Sequence, residues 1–446
     1  DIWKGAELNE RGSVRLLRYR LHQPSRHAAP LPARRLVGYP LRKDYDQSGE
    51  TNPLRMTNEV AHDSSPSYEL QPDGSIIRRR NVLFEEDEYV INIGPQHPAT
   101  HGVLRFRVSL EGEIIKKLDV HCGYIHRGIE KLCESLTYPK RSLLPTVWIT
   151  SALRRPPCAL HVHREGTRRG GVGTRTVHPH HHGRIAAYRF APALLLLSLY
   201  GYGCADGLLL RFPRPRKILD IFEETCGGRL IMNYNTIGGV QADIAPGFVK
   251  KVKEFIPYLR GILHEYHDVF TGNIIAQQRL KGVGILSRED AIAFGATGGT
   301  GRASGWACDV RKRMPYAVYD KVDFKEIIRT EGDSWARYLI RMDEILESLK
   351  IIEQLIDNIP EGAYQEKMKP IIRVPEGTYY AAVEGSRGEF GVFLESHGDK
   401  MPYRLHFRST GLPLVSTVNT ICRGAKIADL IAIGGTLDYV VPDIDR

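Results

Sequence analysis

The sequence contains no CxxC pair. Its seven cysteines, Cys122, Cys133, Cys158, Cys204, Cys226, Cys308 and Cys422, are scattered singly along 446 residues. Such usage is expected of a chain folded in a reducing compartment, and no thiol pattern here holds a zinc ion or an iron–sulfur cluster unaided. A membrane-spanning run is lacking too. The longest strongly apolar stretch, Ala191 to Tyr200, is about half the roughly 20 residues a spanning helix needs, so the chain is expected to be soluble or peripheral on a larger assembly. With 42% hydrophobic and 26% charged residues, collagen, disorder and small disulfide scaffolds are excluded, and a large core is expected.

Lysine and arginine (62) exceed aspartate and glutamate (52), for a formal charge of +10. The simplest forecast from that number is a phosphate-rich or anionic-lipid partner. The excess is local, however. Residues 141–217 hold thirteen Lys/Arg against two acids, Glu165 and Asp206, so they carry +11 and the remainder carries −1. No core pattern survives in this segment. His178, His180, His181 and His182 read as a nucleic-acid or metal-binding tract, or as a solvated basic loop. A third reading is stronger. The codons for Thr176 through Gly183, read one nucleotide later, permit Gln-Tyr-Ile-Arg-Thr-Ile-Met, and the same slip from Cys158 onward permits a long amphipathic, helix-forming string. Most of 142–216 is therefore read as an out-of-frame translation.

Along the chain, residues 1–80 have little periodicity and many Pro, Ser, Asn and Asp, as expected of an extended, surface-running arm. The first 45 residues carry ten Lys/Arg against four acids, compatible with the remains of an organellar import region or with a basic arm. In 81–125, alternating apolar positions, Leu104, Phe106, Val108 and Leu110, then Ile114, Ile115 and Leu118, predict a β-hairpin. A preceding strand exits through a loop from Gly94 to Gly102. Residues 126–375 read as a helical core. Phe248, Val252, Phe255, Leu259, Leu263 and Tyr266 lie near one helical face despite Pro257 and Gly261, and a stronger helix starts near Asp333 or Ser334. Short β segments return in 376–446. The fold class is α+β, a central helical bundle with a β layer contributed from both ends.

Six runs carry a family resemblance: "INIGPQHPATHGVLRF" (91–106), "HCGYIHRGIEKL" (121–132), "KILDIFEETCGGRL" (217–230), "TGGTGRASGWACDVRK" (297–312), "ESHGDKMPYRLHFRS" (395–409) and the terminal "VVPDIDR". Together they resemble the 49 kDa-type subunit of the proton-pumping NADH:quinone oxidoreductase, respiratory complex I, a relative of the nickel–iron hydrogenase large subunit. The likeness covers roughly 82–446 apart from the damaged segment. A further run, "GYPLRKDY" (38–45), looks like the tail of the neighbouring 30 kDa-type subunit, either a fusion remnant or chance.

The resemblance implies a hydrogenase-large-subunit-like fold. It also implies a pocket for ubiquinone beside the terminal 4Fe-4S cluster of a neighbouring subunit, with no cofactor bound by this chain alone. The implied partners are other complex I subunits, above all the cluster-bearing one and the 30 kDa-type one, and not nucleic acid. The implied location is peripheral to the mitochondrial inner membrane, on the matrix side. His97 and His101 sit four apart in a glycine-bounded loop. A histidine is suited to donate a hydrogen bond and a proton to a quinone oxygen near neutral pH. His101 is assigned that role and His97 the holding of the loop. The family's second donor, a tyrosine, is written here as Ile149 and Thr150, and an aspartate that partners the loop histidine falls near Gly203; the shifted frames restore both. Arg127 matches an arginine near the cluster, where a fixed cation raises electron affinity; the plain alternative is a surface ion pair with Glu130 or Glu134. Ile231 replaces a histidine of the family, which puts proton coupling there in doubt. "TGGTGRASG" lacks the lysine-serine ending of a phosphate loop and reads as tight backbone packing. A hydrogenase-type catalytic subunit is disfavoured by the missing CxxC pairs. A scaffold subunit with a dead site gains weight only if the written 142–216 is correct.

Overall fold

A computed structural model describes residues 66–70, 76–80, 88–96, 102–138, 216–228, 235–236, 239–316, 318–359, 364 and 371–445. Residues 139–215, and with them Ile149, Thr150 and Gly203, lie outside the described residues, as do His97 and His101.

The strands are β1 (Pro66–Leu70), β2 (Ile76–Arg80), β3 (Tyr89–Gln96), β4 (Leu104–Glu111), β5 (Ile114–His121), β6 (Asn235–Thr236), β7 (Gly239–Val240), β8 (Gly377–Gly385), β9 (Gly388–Ser396) and β10 (Arg404–Arg408). The helices are α1 (Ile129–Ser135), α2 (Arg216–Cys226), α3 (Phe248–Tyr266), α4 (Ile274–Leu280), α5 (Arg288–Phe294), α6 (Gly299–Ala303), α7 (Val310–Arg313), α8 (Ser334–Ile356), α9 (Gly411–Ser416), α10 (Val418–Cys422), α11 (Ile427–Leu437) and α12 (Val441–Ile444). Within the segment read as an extended arm, β1 and β2 pair antiparallel.

Alternation builds the first sheet. Leu104, Phe106 and Val108 of β4 are buried while Arg105 and Arg107 between them stay partly exposed, the period-2 pattern of a strand with one face on a core. β4 pairs with β3 on one side and β5 on the other, all antiparallel. The expected hairpin is thus present, with a register irregularity at Ser109/Leu110. A second antiparallel sheet has the order β10-β9-β8. The single β layer expected from both ends is therefore two separate sheets, because each apolar face meets a different cover. The first packs on the C-terminal helices: Leu104, Phe106, Ile115 and Leu118 share a core with Leu412, Val415, Ile421, Ile433, Leu437 and Val441. The second packs on α1 and Tyr138 through Val383, Val392, Leu394 and Phe407.

A third core is helical. α8 starts where Asp333 caps it, its carboxylate accepting the Ala336 N–H at 2.7 Å. Its buried positions Ile345, Leu349, Ile352 and Ile356 pack against Ile221 and Phe222 of α2 and Phe255, Ile256 and Leu263 of α3. Pro257 removes one backbone donor from α3, yet the helix runs through it. Burial of its apolar face outweighs the proline penalty.

The "TGGTGRASG" run packs as expected. At Gly298, with φ +75, a Cβ would stand 2.4 Å from the carbonyl oxygen of Arg387, so two backbones meet where no side chain fits. This contact seats α6 against the β8–β9 turn. Truncating fully buried Ile352 to alanine is expected to cost the full-length chain about 2–5 kcal/mol in chemical denaturation, whereas Leu346→Ala, on the exposed side of the same helix, stays within about 0.5 kcal/mol.

Candidate functional site

The loop that carries the His97 and His101 expectation is framed by described backbone. On its far side Gly102, φ +137, lies so close to the last helix that a Cβ there would be 2.5 Å from Val441 Cβ. The second motif, residues 121–128, follows β5 directly. Cys122 is buried in the first-sheet core. Gly123 and Gly128 both take positive φ, 110° and 61°, so the chain turns twice within six residues and presents Tyr124 and Arg127 outward.

What holds this loop is the C-terminal tail. Asp445 Oδ1 accepts the Gly123 N–H at 2.7 Å and Oδ2 accepts the Ile125 N–H at 3.2 Å. The Asp445 carbonyl is 2.8 Å from His126 Nδ1. A carbonyl can only accept, so this ring nitrogen carries a proton. Burial pushes the Asp445 carboxyl up, to about 6, against the pull of the two N–H donors. Two residues earlier, Asp443 Oδ2 accepts from Ser409 Oγ (2.9 Å), Thr410 Oγ1 (2.9 Å) and Gly411 N (2.8 Å). Its Oδ1 is buried without a hydrogen-bond partner among the described residues. At the start of the tail, Arg387 donates to the Asp438 carbonyl at 2.8 Å and to its carboxylate at 3.0 Å. The tail thereby touches both segments in which sequence reasoning looked for a site.

Arg127 is exposed and makes no ion pair among the described residues. The plain alternative is not realised, because its two proposed partners are taken. Glu130 binds His406 (3.1 Å) and Arg404 (3.6 Å) and accepts the Phe407 N–H. Glu134 binds Lys131 (3.1 Å) and Arg404 (3.3 Å). These contacts tie α1 to β10 and leave Arg127 exposed on the loop that also carries exposed Tyr124. A rigid loop bearing a cation and a phenol can offer positive charge and hydrogen bonds to an acceptor outside this chain. Sequence reasoning missed Asp443, Asp445 and His126 as parts of the site. The only available signal was that "VVPDIDR" recurs among the family motifs; the groups these side chains bind are invisible in one dimension. Among the described residues no group of His, Cys, Asp and Glu could hold a metal ion, and no helix is long and apolar enough to cross a membrane.

Comparison with known proteins adds a family. The model of the family described as "Respiratory-chain NADH dehydrogenase, 49 Kd subunit" matches residues 203–373 and 366–446. The C/D subunit of NADH-quinone oxidoreductase from Phocaeicola vulgatus is 65% identical over 456 residues, covering 100% of this chain and 86% of that protein. Its counterpart from Bacteroides thetaiotaomicron is 68% identical over 414 residues, 92% of this chain and 77% of that protein. The D subunit of NADH-quinone oxidoreductase from Bacillus cereus is 39% identical over 374 residues, 81% of this chain and 100% of that protein. These relatives are bacterial, so the expected mitochondrial location finds no support.

Asp445→Asn tests the tail anchor. An amide cannot accept at both positions, so one buried N–H loses its partner and the full-length chain loses about 1–3 kcal/mol. The pH dependence has a definite sign. A carboxyl raised above its unfolded value contributes stability below about 3.8 that is lost as pH rises through about 6. Thermal melts of the wild type between pH 4 and 7 should therefore fall more steeply with pH than those of the variant.

Proposed function

The chain belongs to the family of the 49 kDa subunit of respiratory-chain NADH dehydrogenase, is a subunit of an NADH:quinone oxidoreductase, and from that premise we propose that it forms the pocket in which quinone is reduced. Reduction takes up two electrons and two protons at the quinone oxygens. The electrons come from a 4Fe-4S cluster on a neighbouring subunit, docked against the Tyr124–Arg127 surface. The observation that carries this reading is the tail: Asp445 on Gly123 and Ile125, with Val441 against Gly102, joins the arginine loop to the edge of the histidine loop. Rigid placement of groups around a reacting centre is what such a site requires.

In this reading His101 donates one proton and His97 holds the loop. A tyrosine now written as Ile149 or Thr150 gives the second hydrogen bond, and an aspartate near Gly203 orients the imidazole. Arg127, whose charge is unmatched by Glu130 and Glu134, raises the electron affinity of the cluster facing it. The fold is hydrogenase-large-subunit-like, and the chain sits at the membrane surface among other complex I subunits.

The C/D relative from Phocaeicola vulgatus takes up 100% of this chain, whereas the D relative from Bacillus cereus is covered completely by 81% of it. The uncovered fifth is about the size of the arm 1–80, which supports reading that arm, including "GYPLRKDY", as the end of a fused 30 kDa-type portion. The excess charge of 141–217 is a reading-frame artefact, so it calls for no nucleic acid.

In the assembled complex, His101→Ala is expected to lower quinone reduction by about 10²–10⁴-fold while electron transfer from NADH to a water-soluble artificial acceptor persists. Undiminished quinone reduction would overturn the assignment. Peptide mass spectrometry across 142–216 should recover shifted-frame peptides. Recovering the written peptide with His178 to His182 would instead favour the scaffold reading, with its tyrosine and aspartate missing.

A further inference from the structure

A buried ionic cluster lies apart from the tail and loop. Arg302 on α6 is 0% exposed. Its guanidinium is shared by two carboxylates, Glu344 of α8 and Glu384 of β8, the latter at 2.9 Å. Both acids are buried, and the second oxygen of Glu384 accepts the Val310 N–H at 3.1 Å. The Glu344 Oε2 and Arg302 Nε atoms are buried with no hydrogen-bond partner among the described residues.

The surrounding charges are unevenly placed. Asp309 is bound on two sides by Arg311, through Nε at 3.0 and 3.1 Å and through a terminal nitrogen at 2.6 Å. Burial works against its charge, but Arg311 holds its carboxyl below the ordinary value. That guanidinium is therefore committed. Arg341 of α8 donates to the carbonyls of Arg337 and Thr436, and its charge faces Glu344 and Asp438. Arg387 is committed to Asp438. Glu326 accepts the Asp309 N–H, the Tyr316 hydroxyl accepts the Glu384 N–H, and Cys308 is a buried thiol pushed up to about 12 by burial. Glu344 thus faces two guanidiniums. Glu384 shares the Arg302 guanidinium, with the Asp309 carboxylate beside it and the charge of Arg311, which is bonded to Asp309, acting on it as well.

Two buried carboxylates cannot both ionise cheaply on one shared cation. We propose that Glu384 is a reversible proton-binding site, taking one proton from solvent as carboxylate becomes carboxylic acid and returning it as the charge around it changes. The electrostatics agree: burial raises the Glu384 carboxyl to about 7, Asp309 adding to the rise and Arg302 and Arg311 pulling it down. The turn after Glu384 carries Arg387, which anchors Asp438 where the C-terminal tail begins. This inference is independent of the quinone reading.

Infrared titration of the full-length chain tests it. The wild type should show a protonated-carboxyl band that disappears with a midpoint near 7 and is absent from Glu384→Gln; the Asp445 band, lower at about 6, is removed separately by Asp445→Asn. Glu344→Gln gives Glu384 sole use of Arg302, so the midpoint should fall by about 1 unit or more. This arm stands even where Glu384→Gln does not fold. Lack of a neutral-range band in the wild type, its persistence in Glu384→Gln, or an unmoved midpoint in Glu344→Gln would overturn the proposal.

Discussion

The carboxylates of Asp438, Asp443 and Asp445 hold the C-terminal tail in place, and the arrangement of the candidate site depends on them. Each is buried, and a buried charge is tolerated only where donors replace its water. Asp443 finds three donors for one oxygen and Asp438 finds a guanidinium. Asp445 has only two backbone N–H groups. Those two donors do not offset its burial, and its carboxyl is driven upward.

Arginine plays the complementary part in the interior. Arg302 is buried with two acids, and although burial opposes its charge, Glu344 and Glu384 hold it protonated well above the ordinary range. Arg337 is equally buried but donates to backbone carbonyls of Gly332 and Gly284 and to Ser334. With little acidic compensation, burial pushes it down to about 9. The contrast illustrates that a buried cation's behaviour is set by whether its acceptors are charged, not by its depth alone. Glycine makes room for the second guanidinium: a Cβ at Gly284 would stand 3.1 Å from a terminal nitrogen of Arg337 and 2.8 Å from Ile433 Cγ1.

Much of the scaffold was legible in one dimension. The alternation through Leu104, Phe106 and Val108 and the capped start of α8 at Asp333 arise from local periodicity and local hydrogen bonding, and both stand in the structure. The pairing of β1 with β2 was not legible, since each strand is only five residues long and the second, Ile76–Arg80, does not alternate. Nor was the division of the β layer into two sheets. Alternation marks which face of a strand is apolar but not which element covers it, and the covers, C-terminal helices for one sheet and α1 for the other, lie far away in sequence.

The candidate site divides the same way. The sequence by itself determined the family motifs, the place of Arg127 on a glycine-flanked loop and the location of the excess charge in 141–217. Only the tertiary structure decided that Glu130 and Glu134 are occupied by His406, Arg404 and Lys131, leaving Arg127 outward. It also decided that Asp445 closes on Gly123 across 322 residues and that Glu384 meets Arg302 across 82. A carboxyl's charge depends on the water it loses and the donors it gains, and folding brings both from parts of the chain that local sequence does not connect.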